Sequence, residues 1–260
     1  MNNYYTRACN FYFGKISKEK VKLKNSLPLN GDPLISFDCI EIISRNKKKK
    51  INIKKINKLP KILKKKVYND LKNITKKKNF LNLNFKNSPI IMGVLNVTPD
   101  SFSDGAKFNK KKLAKTHIKK LLNNGAEIID IGGESTKPGA KDISTKVEWN
   151  RLRSIIKYLS KQNCFVSLDT RKSLIMKKSL SYKINLINDV SGLNYDENTI
   201  NFLKNSKTPF VLHHMKGTPK TMQVRPNYKN VLLDIYDFFE EKLHLIRKMG
   251  IKHNNIILDP

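Results

Sequence analysis

Residues 91–105 read IMGVLNVTPDSFSDG, and this stretch decides the fold. An apolar run ends at Asn96 and passes straight into a loop of small polar and acidic side chains. The run from Ile90 to Leu95 is too short for a helix and lacks alternation, which predicts a strand buried on both faces. Enzymes built from parallel strands place their chemistry where such a strand ends, so this junction is the first candidate for a functional site.

The same order of apolar strand, polar tip and amphipathic helix recurs down the chain. Five later strands are predicted at 127–131, 165–168, 184–187, 210–214 and 256–258. Strict alternation of strands and helices implies a parallel sheet. A barrel of eight such units needs about 250 residues, whereas 173 run from Ser88 to Pro260. We therefore expect an α/β fold, a (β/α)8 TIM barrel that is incomplete here, with about six strands and five intervening helices.

Six short segments carry a resemblance to a known family. They are MGVLNVTPDSFSDG at 92–105, IIDIGGESTKPGA at 128–140, SLDTRKS at 167–173, INDVSG at 187–192, HHMKGTPKTMQ at 213–223 and ILDP at 257–260. In this order they resemble dihydropteroate synthase over roughly residues 88–260. The resemblance implies a transferase of folate biosynthesis, which condenses 6-hydroxymethyl-7,8-dihydropterin diphosphate with 4-aminobenzoate to give 7,8-dihydropteroate and diphosphate.

Asn96, at the tip of the first strand, offers a neutral amide oxygen. Mg²⁺ keeps most of its waters and is held by one or two protein oxygens plus substrate phosphates, so a single Asn suffices when the substrate brings a diphosphate. The resemblance assigns Asn96 this role. An Asn that caps a turn is the alternative, and it is weaker before a Val-Thr-Pro-Asp segment.

Asp169, Asn188 and Asp259 end the third, fourth and sixth strands, where a pocket at the barrel mouth would receive them. A 2-amino-4-oxo pterin ring offers N–H groups to carboxylates and mixed edges to an amide. The resemblance places the pterin there and, together with Asn96, gives Asp169 and Asn188 catalytic roles. Met215 is a candidate for an apolar contact with the ring, and a plain core position is its equal alternative.

The loop after the second strand supplies hydroxyls and a cation for phosphate oxygens through Ser135, Thr136 and Lys137. The family usually has Arg at the third of these positions, and Lys keeps the charge but loses the bidentate fork. The first two loops look like the mobile family loops that close over pyrophosphate and build the aminobenzoate pocket. The candidate contacts in that pocket are Phe102, Ser103 and Pro138.

The implied reaction depends on the departure of pyrophosphate. Mg²⁺ and the cation of the second loop would neutralise the developing charge, so that a pterin-stabilised methylene cation forms before the arylamine attacks, without a strong general base. The family also has a Ser-Arg-Lys segment after strand seven and an Arg-x-His segment after strand eight, and this sequence contains neither. We therefore expect a truncated barrel with little or no activity by itself, and a homodimer when the protein is full length.

Two adjacent histidines, His213 and His214, invite a metal interpretation. Successive strand residues point to opposite faces, so both cannot easily bind one ion, and we reject a zinc site. His214 matches the family pattern. His213 stands where the family commonly has an apolar residue, and the sequence alone offers no physical reason for that change.

The formal net charge is +31, spread over the whole chain. Residues 1–86 hold 23 Lys and Arg against 5 Asp and Glu, and residues 87–260 hold 29 against 16. Clustered positive charge binds phosphates, which favours a nucleic-acid or membrane-surface patch. We prefer a compositional bias toward Lys, Asn and Ile, because aromatic residues are not interleaved with the basic runs; Lys47–Lys50 is then expected to be a solvated loop.

Three cysteines, Cys9, Cys39 and Cys164, lie far apart in the sequence and form no Cys-x-x-Cys pair, so neither a disulfide framework nor a zinc site is indicated. A reduced cytoplasmic compartment fits. No stretch approaches the roughly 20 apolar residues that span a bilayer, and the N-terminus lacks a signal-peptide core. We expect an unexported protein with small-molecule substrates, no membrane partner and no specific nucleic-acid partner.

Residues 1–86 are interpreted as a basic N-terminal extension and linker of unknown role, and residues 87–260 as the pterin-binding barrel. An alternating run at 34–43 predicts a strand within a small packed unit. Spaced apolar residues at 59–68 allow a short amphipathic helix.

Two other functions stay open. A pterin-binding methyltransferase barrel would share the pocket but would not need Asn96 or the diphosphate loops. A non-catalytic basic binding module would show nucleic-acid affinity with a steep salt dependence.

Overall fold

The computed structural model describes residues 4–78, 80, 89–98, 110–135, 141–217, 227–251 and 256–260. The chain forms two compact units, Met1–Asn79 and Phe80–Pro260. The boundary predicted at residues 86–87 lies outside the described residues. None of the helices in the described ranges has the length and apolarity that a bilayer span requires.

The first unit is an antiparallel sheet in which the long strand β3 pairs with three others. Its strands are β1 (Tyr5–Phe13), β2 (Leu27–Leu29), β3 (Asp32–Ile43) and β4 (Lys48–Asn52). Its helices are α1 (Gly14–Lys22) and α2 (Lys61–Thr75), and a 3₁₀ turn spans Ile53–Lys58. Phe37 and Ile40 of β3 pack against Val67 and Leu71 of α2. The strand predicted at 34–43 and the helix predicted at 59–68 are both confirmed, and α2 continues to Thr75.

The prediction of a loop at Lys47–Lys50 is wrong. Residues 48–52 form β4, which pairs antiparallel with residues 39–43 of β3. Ile51 and Ile53 pack against the core of the first unit, which draws this segment into the sheet. The lysines themselves are exposed, as expected, because Lys side chains commonly protect the edge of a sheet.

The second unit contains a six-stranded parallel sheet whose spatial order follows the chain. Its strands are β5 (Met92–Asn96), β6 (Ile128–Gly132), β7 (Phe165–Asp169), β8 (Leu186–Asp189), β9 (Phe210–His213) and β10 (Ile256–Asp259). Between them lie α3 (Lys110–Asn123), α4 (Thr145–Leu159), α5 (Ser173–Ser179), α6 (Thr199–Ser206) and α7 (Val231–Lys248). Within the described residues, the predicted six strands and five intervening helices are confirmed.

Local sequence fixes where two of these helices begin. The Ser144 side chain accepts a hydrogen bond from the backbone N–H of Val147 at the start of α4. Asn230 does the same for the N–H of Leu233 at the start of α7. Such N-caps satisfy backbone donors that have no partner within the helix.

The helices cover one face of the parallel sheet. Ile129, Ile131 and Leu168 are fully buried in a core that they share with residues of every helix from α3 to α7. Side chains alternate along a strand, so the residues between these positions point to the opposite face. At the carboxyl ends of the strands that opposite face carries the candidate polar groups.

The prediction that the first barrel strand is buried on both faces is wrong. β5 alternates, with Gly93 and Leu95 buried and with Met92 and Val94 exposed. A Cβ on Gly93 would contact Leu121 of α3, so the buried residues face the helices. The exposed residues point to the other face at the end of the sheet order, where Val94 is 54% exposed.

The turn after β8 depends on Gly192. This residue has φ +61°, and a Cβ there would lie 2.6 Å from the carbonyl oxygen of His213. Glycine adopts this left-handed conformation without steric cost. Its missing side chain therefore allows the turn to lie directly against the end of β9.

We expect Gly192→Ala to destabilise the second unit by about 2–4 kcal/mol, because left-handed strain and a backbone clash add together. Urea unfolding of the full chain measures this loss. Gly125→Ala is the matched control, since Gly125 has φ +91° but no atom within 4 Å of an added Cβ. Equal losses in the two variants would show that the contact with His213 has no energetic role.

Candidate functional site

A row of polar side chains crosses the carboxyl ends of four neighbouring strands. Asn96, Gly132, Asp169 and Asn188 are successive partners across β5, β6, β7 and β8. They occupy the face opposite the helices, because the residues before them, such as Leu95 and Leu168, lie in the helix-covered core. Three residues predicted for the site, from three separate strands, therefore come together.

Gly132 is the reason that two of these side chains can converge. A Cβ built on Gly132 would lie 3.0 Å from Oδ2 of Asp169 and 3.1 Å from Oδ1 of Asn96. The space that an alanine methyl group would fill is thus bordered by a carboxylate oxygen and an amide oxygen. Gly132 leaves a small oxygen-lined cradle at the tip of the sheet, which we call the Asn96–Asp169 cradle.

Asp130 lies one layer below this row, in the middle of β6. It is 4% exposed, and its Oδ2 accepts a hydrogen bond of 3.2 Å from Nδ2 of Asn188. Ser167, its partner in register on β7, places a second buried polar group, a hydroxyl, beside this carboxyl group. Asp130 thereby orients the Asn188 amide while bringing a second carboxyl group close to Asp169.

In this region it is unfavourable for Asp130 and Asp169 to be ionised at the same time. Burial, together with the charges of Asp130, Asp189 and two nearby glutamates, raises the pKa of Asp169 well above its usual value. Burial also raises the pKa of Asp130, and the Ser167 hydroxyl and the Asn188 amide only partly oppose this rise. The pair holds a proton more readily than isolated carboxyl groups do, as expected when like charges share a buried site.

We expect Asp130→Asn to be more stable than the wild type at neutral pH. A raised pKa in the folded state means that the charged form opposes folding, so wild-type stability falls as the pH rises through that folded pKa. The variant has no such loss and can still accept the bond from Asn188. Urea unfolding at several pH values should show a difference in stability between variant and wild type that shrinks as the pH falls below about 4, where the unfolded carboxyl also becomes protonated. A gap independent of pH would contradict this assignment.

Asp259 meets His213 rather than the row itself. The two residues are partners in register on β10 and β9, and Nδ1 of His213 lies 3.0 Å from Oδ2 of Asp259. The Asp259 side chain is 54% exposed, so one carboxylate edge stays open to a ligand. The contact with Asp259 supplies the physical reason for His213 that the sequence did not.

His214 points the other way, into the layer of helices. Its ring meets the edge of Phe238 on α7 at a centroid distance of 4.9 Å, and it also contacts Tyr228. Burial lowers the pKa of His214, and the neighbouring His213 and Lys216 add to this effect. The two histidines thus have separate surroundings, and no group of three His, Cys, Asp or Glu side chains suited to a metal occurs in the described ranges.

A network of buried ion pairs lies next to the row, where the chain leaves the strands β6 and β7. It consists of Glu134, Glu148, Arg171 and Lys172, each less than 10% exposed. The Lys172 ammonium lies 2.7 Å from Glu148 and 2.9 Å from Glu134. Nε of Arg171 donates to Glu134 at 2.9 Å, and its guanidinium stacks on the Tyr195 ring at 3.8 Å from the centroid.

This network joins the second and third strand tips. Burial alone would raise the pKa of Glu134, but hydrogen bonds from Arg171 and Lys172 outweigh it and hold that pKa below its usual value. Thr170 donates to Glu148 at 2.6 Å, which ties the residue after Asp169 to helix α4. The segment that carries Asp169 is therefore anchored by charged groups buried beneath it.

Several predicted residues cannot be placed. Phe102, Ser103, Thr136, Lys137 and Pro138 lie outside the described residues. Ser135 is described and half-buried, just before that part of the second loop. Met215 is half-buried two residues beyond β9. The contacts assigned to all of these residues stay predictions.

Comparison with known proteins decides the family. The model of the pterin binding enzyme family matches residues 92–260, which is more than half of the chain and includes all six strands of the parallel sheet. The chain belongs to the pterin binding enzyme family. The row of polar tips lies within the segment that the family model matches.

Sequence relatives within this family carry the name dihydropteroate synthase. The chain is 41% identical to that of Neisseria meningitidis serogroup B over 175 residues, which are 66% of this chain and 61% of the relative. It is 36% identical to that of Escherichia coli K12 over 173 residues, again 66% of this chain and 61% of the relative. The chain thus spans about three fifths of the length of these relatives.

Solved structures of pterin binding enzymes share the fold. The dihydropteroate synthase of Yersinia pestis, in a complex with a sulfonamide drug, is 38% identical with a TM-score of 0.61, covering 66% of this chain and 62% of its own. That of Xanthomonas albilineans with 4-aminobenzoic acid is 32% identical with a TM-score of 0.61, covering 67% and 62%. These matches confirm the predicted TIM-barrel class, of which the six described strands form a part.

Asp130 and the buried ion network of this pterin binding enzyme were not among the residues predicted from the sequence. The signal for Asp130 was present, because it is a charged residue in the middle of an apolar strand, two residues before Gly132 and hence on the same face. The network gave a weaker signal. Its glutamates and its basic residues lie on different elements, and only the fold shows that they meet.

Proposed function

We propose that this chain carries the chemistry of a dihydropteroate synthase, in which 6-hydroxymethyl-7,8-dihydropterin diphosphate condenses with 4-aminobenzoate to 7,8-dihydropteroate and diphosphate. The convergence of Asn96 and Asp169 over Gly132, with Asn188 beside them, is the observation that carries this proposal. The names of the relatives support it, as does a Burkholderia cenocepacia dihydropteroate synthase complexed with 7,8-dihydropteroate, which is 32% identical with a TM-score of 0.59. This chain spans about three fifths of such relatives, so the activity of the whole protein belongs to the proposal.

The pterin ring is assigned to the row. Asp169 and Asn188 lie side by side, so a flat ring with adjacent N–H and C=O groups can exchange hydrogen bonds with both. Asp259, braced by His213, would receive a further N–H group at the edge of the ring. Buried polar groups that would otherwise be unpaired reject ligands lacking the matching groups, which gives the site its specificity.

The diphosphate is assigned to the side of β5. Mg²⁺ is proposed at the Asn96 amide oxygen, which borders the Asn96–Asp169 cradle, because amide oxygens are hard ligands and because this ion needs few protein ligands when a substrate brings phosphates. Asn96 would hold the ion, which would neutralise charge on the departing diphosphate. Ser135, Thr136 and Lys137 are proposed to contact the phosphates from the second loop. Phe102, Ser103 and Pro138 are proposed for the aminobenzoate.

The row also indicates what its side chains would do while the bond between the pterin methylene and the diphosphate breaks. Departure of diphosphate leaves positive charge on the pterin methylene, and the arylamine nitrogen then attacks that carbon. Burial raises the pKa of both Asp130 and Asp169, and the charge of Asp130 adds to the rise at Asp169, so the pair would bind the ring with less than its full negative charge. The arylamine is itself the nucleophile, so these residues bind and orient the ring and no side chain need act as a strong base.

The test is ligand binding by the full chain, measured by calorimetry. We expect 6-hydroxymethyl-7,8-dihydropterin diphosphate to bind, and Mg²⁺ to tighten that binding by about tenfold or more. Binding of 5-methyltetrahydrofolate without any effect of Mg²⁺ would instead indicate the methyltransferase alternative. Failure to bind any pterin, with duplex DNA bound in a strongly salt-dependent way, would overturn the proposal in favour of a basic binding module.

Three further expectations stay predictions. They are a cytoplasmic location, a homodimer in the full-length protein, and little or no turnover by this chain by itself. A turnover assay with both substrates tests the last of them separately from binding.

A further inference from the structure

Two of the three cysteines face each other across the sheet of the first unit. Cys9 on β1 and Cys39 on β3 are partners in antiparallel register, although they are 30 positions apart in the sequence. Both residues are partly exposed. Cys164, the third cysteine, is buried in the second unit and takes no part.

The register of Cys9 and Cys39 is compatible with a disulfide between them. Directly opposed residues of an antiparallel pair have Cα atoms about 4.5–5.5 Å apart and side chains on the same face. Disulfides require Cα separations of about 4.4–6.8 Å. The register of Cys9 and Cys39 therefore matches the range of Cα separations that a disulfide spans.

The surroundings bear on the reactivity of both thiols. Burial raises the pKa of Cys9, while the positive charges of Lys50 and Arg7 oppose that rise. Burial, Asp38 and the Cys9 thiol itself raise the pKa of Cys39. Both thiols are therefore mainly protonated at neutral pH, and their attack on a disulfide becomes faster as the pH rises toward their raised pKa.

We propose that Cys9 and Cys39 form a redox-active dithiol, which is oxidised to an intramolecular disulfide by a small-molecule disulfide such as that of glutathione. One cysteine thiolate attacks the incoming disulfide, releasing one thiol and forming a mixed disulfide. The second cysteine thiolate then attacks the protein sulfur of that bond and releases the second thiol. The two cysteines lose two protons and two electrons, and the small disulfide is reduced to two thiols.

The test uses the full chain carrying Cys164→Ser, so that only the pair can react. Native protein is incubated with oxidised glutathione at pH 8, quenched with acid and analysed by mass spectrometry. We expect a product about 2 Da lighter than the reduced chain, a peptide containing both cysteines after digestion, and full reversal by dithiothreitol.

The variants Cys9→Ser and Cys39→Ser, each in the Cys164→Ser chain, are the matched controls. Each should stop at the mixed disulfide, about 305 Da heavier, because the attacking partner is missing. The proposal is overturned if the chain with both cysteines also accumulates mixed disulfides, or if the crosslink forms only after the protein is unfolded in urea. Both readouts concern the first unit alone, so they are independent of pterin binding.

Discussion

Replacing Lys172 with Met is expected to lower the free energy of unfolding of the second unit by about 3–5 kcal/mol. The Lys172 ammonium is 8% exposed and bridges Glu134 and Glu148, and the Glu148 side chain is completely buried. Without the Lys172 cation, the Glu148 carboxylate keeps its negative charge in a site that water does not reach. An unpaired buried charge of this kind costs far more than a lost surface ion pair.

Urea unfolding of the full chain, monitored by a spectroscopic signal that reports on the second unit, measures this loss of unfolding free energy. Lys177→Met is the matched control, because Lys177 is exposed on α5, the helix that begins directly after Lys172, and we expect a change within about 0.5 kcal/mol. The double variant Lys172→Met with Glu148→Gln should recover part of the loss, since it removes the stranded charge. A loss below 1 kcal/mol in Lys172→Met would mean that the network is not a structural anchor.

The second large effect, on ligand affinity, is expected when a single methyl group is added to the site. Gly132→Ala should weaken binding of pterin diphosphate in the presence of Mg²⁺ by about 100-fold. The new Cβ would lie 3.0 Å from Asp169 and 3.1 Å from Asn96, and both oxygens would have to retreat from the cradle. Displacements well below one ångström disturb such a site, because its ligands act through short and directional contacts.

Gly93→Ala is the control for that substitution. Gly93 is also a strand glycine, but its added Cβ would face the helices and meet the side-chain ends of Leu121 at 3.1 Å, together with Ala126. The Gly93→Ala variant should be somewhat less stable than the wild type and should bind the pterin with unchanged affinity. If the two alanine variants bind the ligand equally well, the space over Gly132 has no part in binding.

The sequence predicted the fold well because its signals were local. The strand tips at Asn96, Asp169 and Asn188 each follow an apolar run, and parallel strands bring their carboxyl ends to one edge. That reasoning placed three site residues in one row. It could not show that Gly132 separates two of them, because the role of a missing side chain emerges only from what surrounds it.

The errors arose where tertiary contacts outweigh local pattern. The lysines at 48–50 resemble a loop in composition, yet pairing with β3 and burial of Ile51 make that segment a strand. The β5 strand lacks alternation in its sequence but alternates in its exposure, because its position in the sheet leaves one face open. His213 had no explanation until its strand was aligned with that of Asp259.

The measurement that tests the site most directly compares two variants with two ligands. Calorimetry in the presence of Mg²⁺ would give the affinity of 6-hydroxymethyl-7,8-dihydropterin, with and without its diphosphate, for the wild type, Asn96→Ala and Asp169→Ala. We expect Asn96→Ala to lose affinity only for the diphosphate, and Asp169→Ala to lose about 10-fold to 100-fold for both ligands. Wild-type affinities for both ligands in both variants would contradict the assignment of this row to the pterin diphosphate.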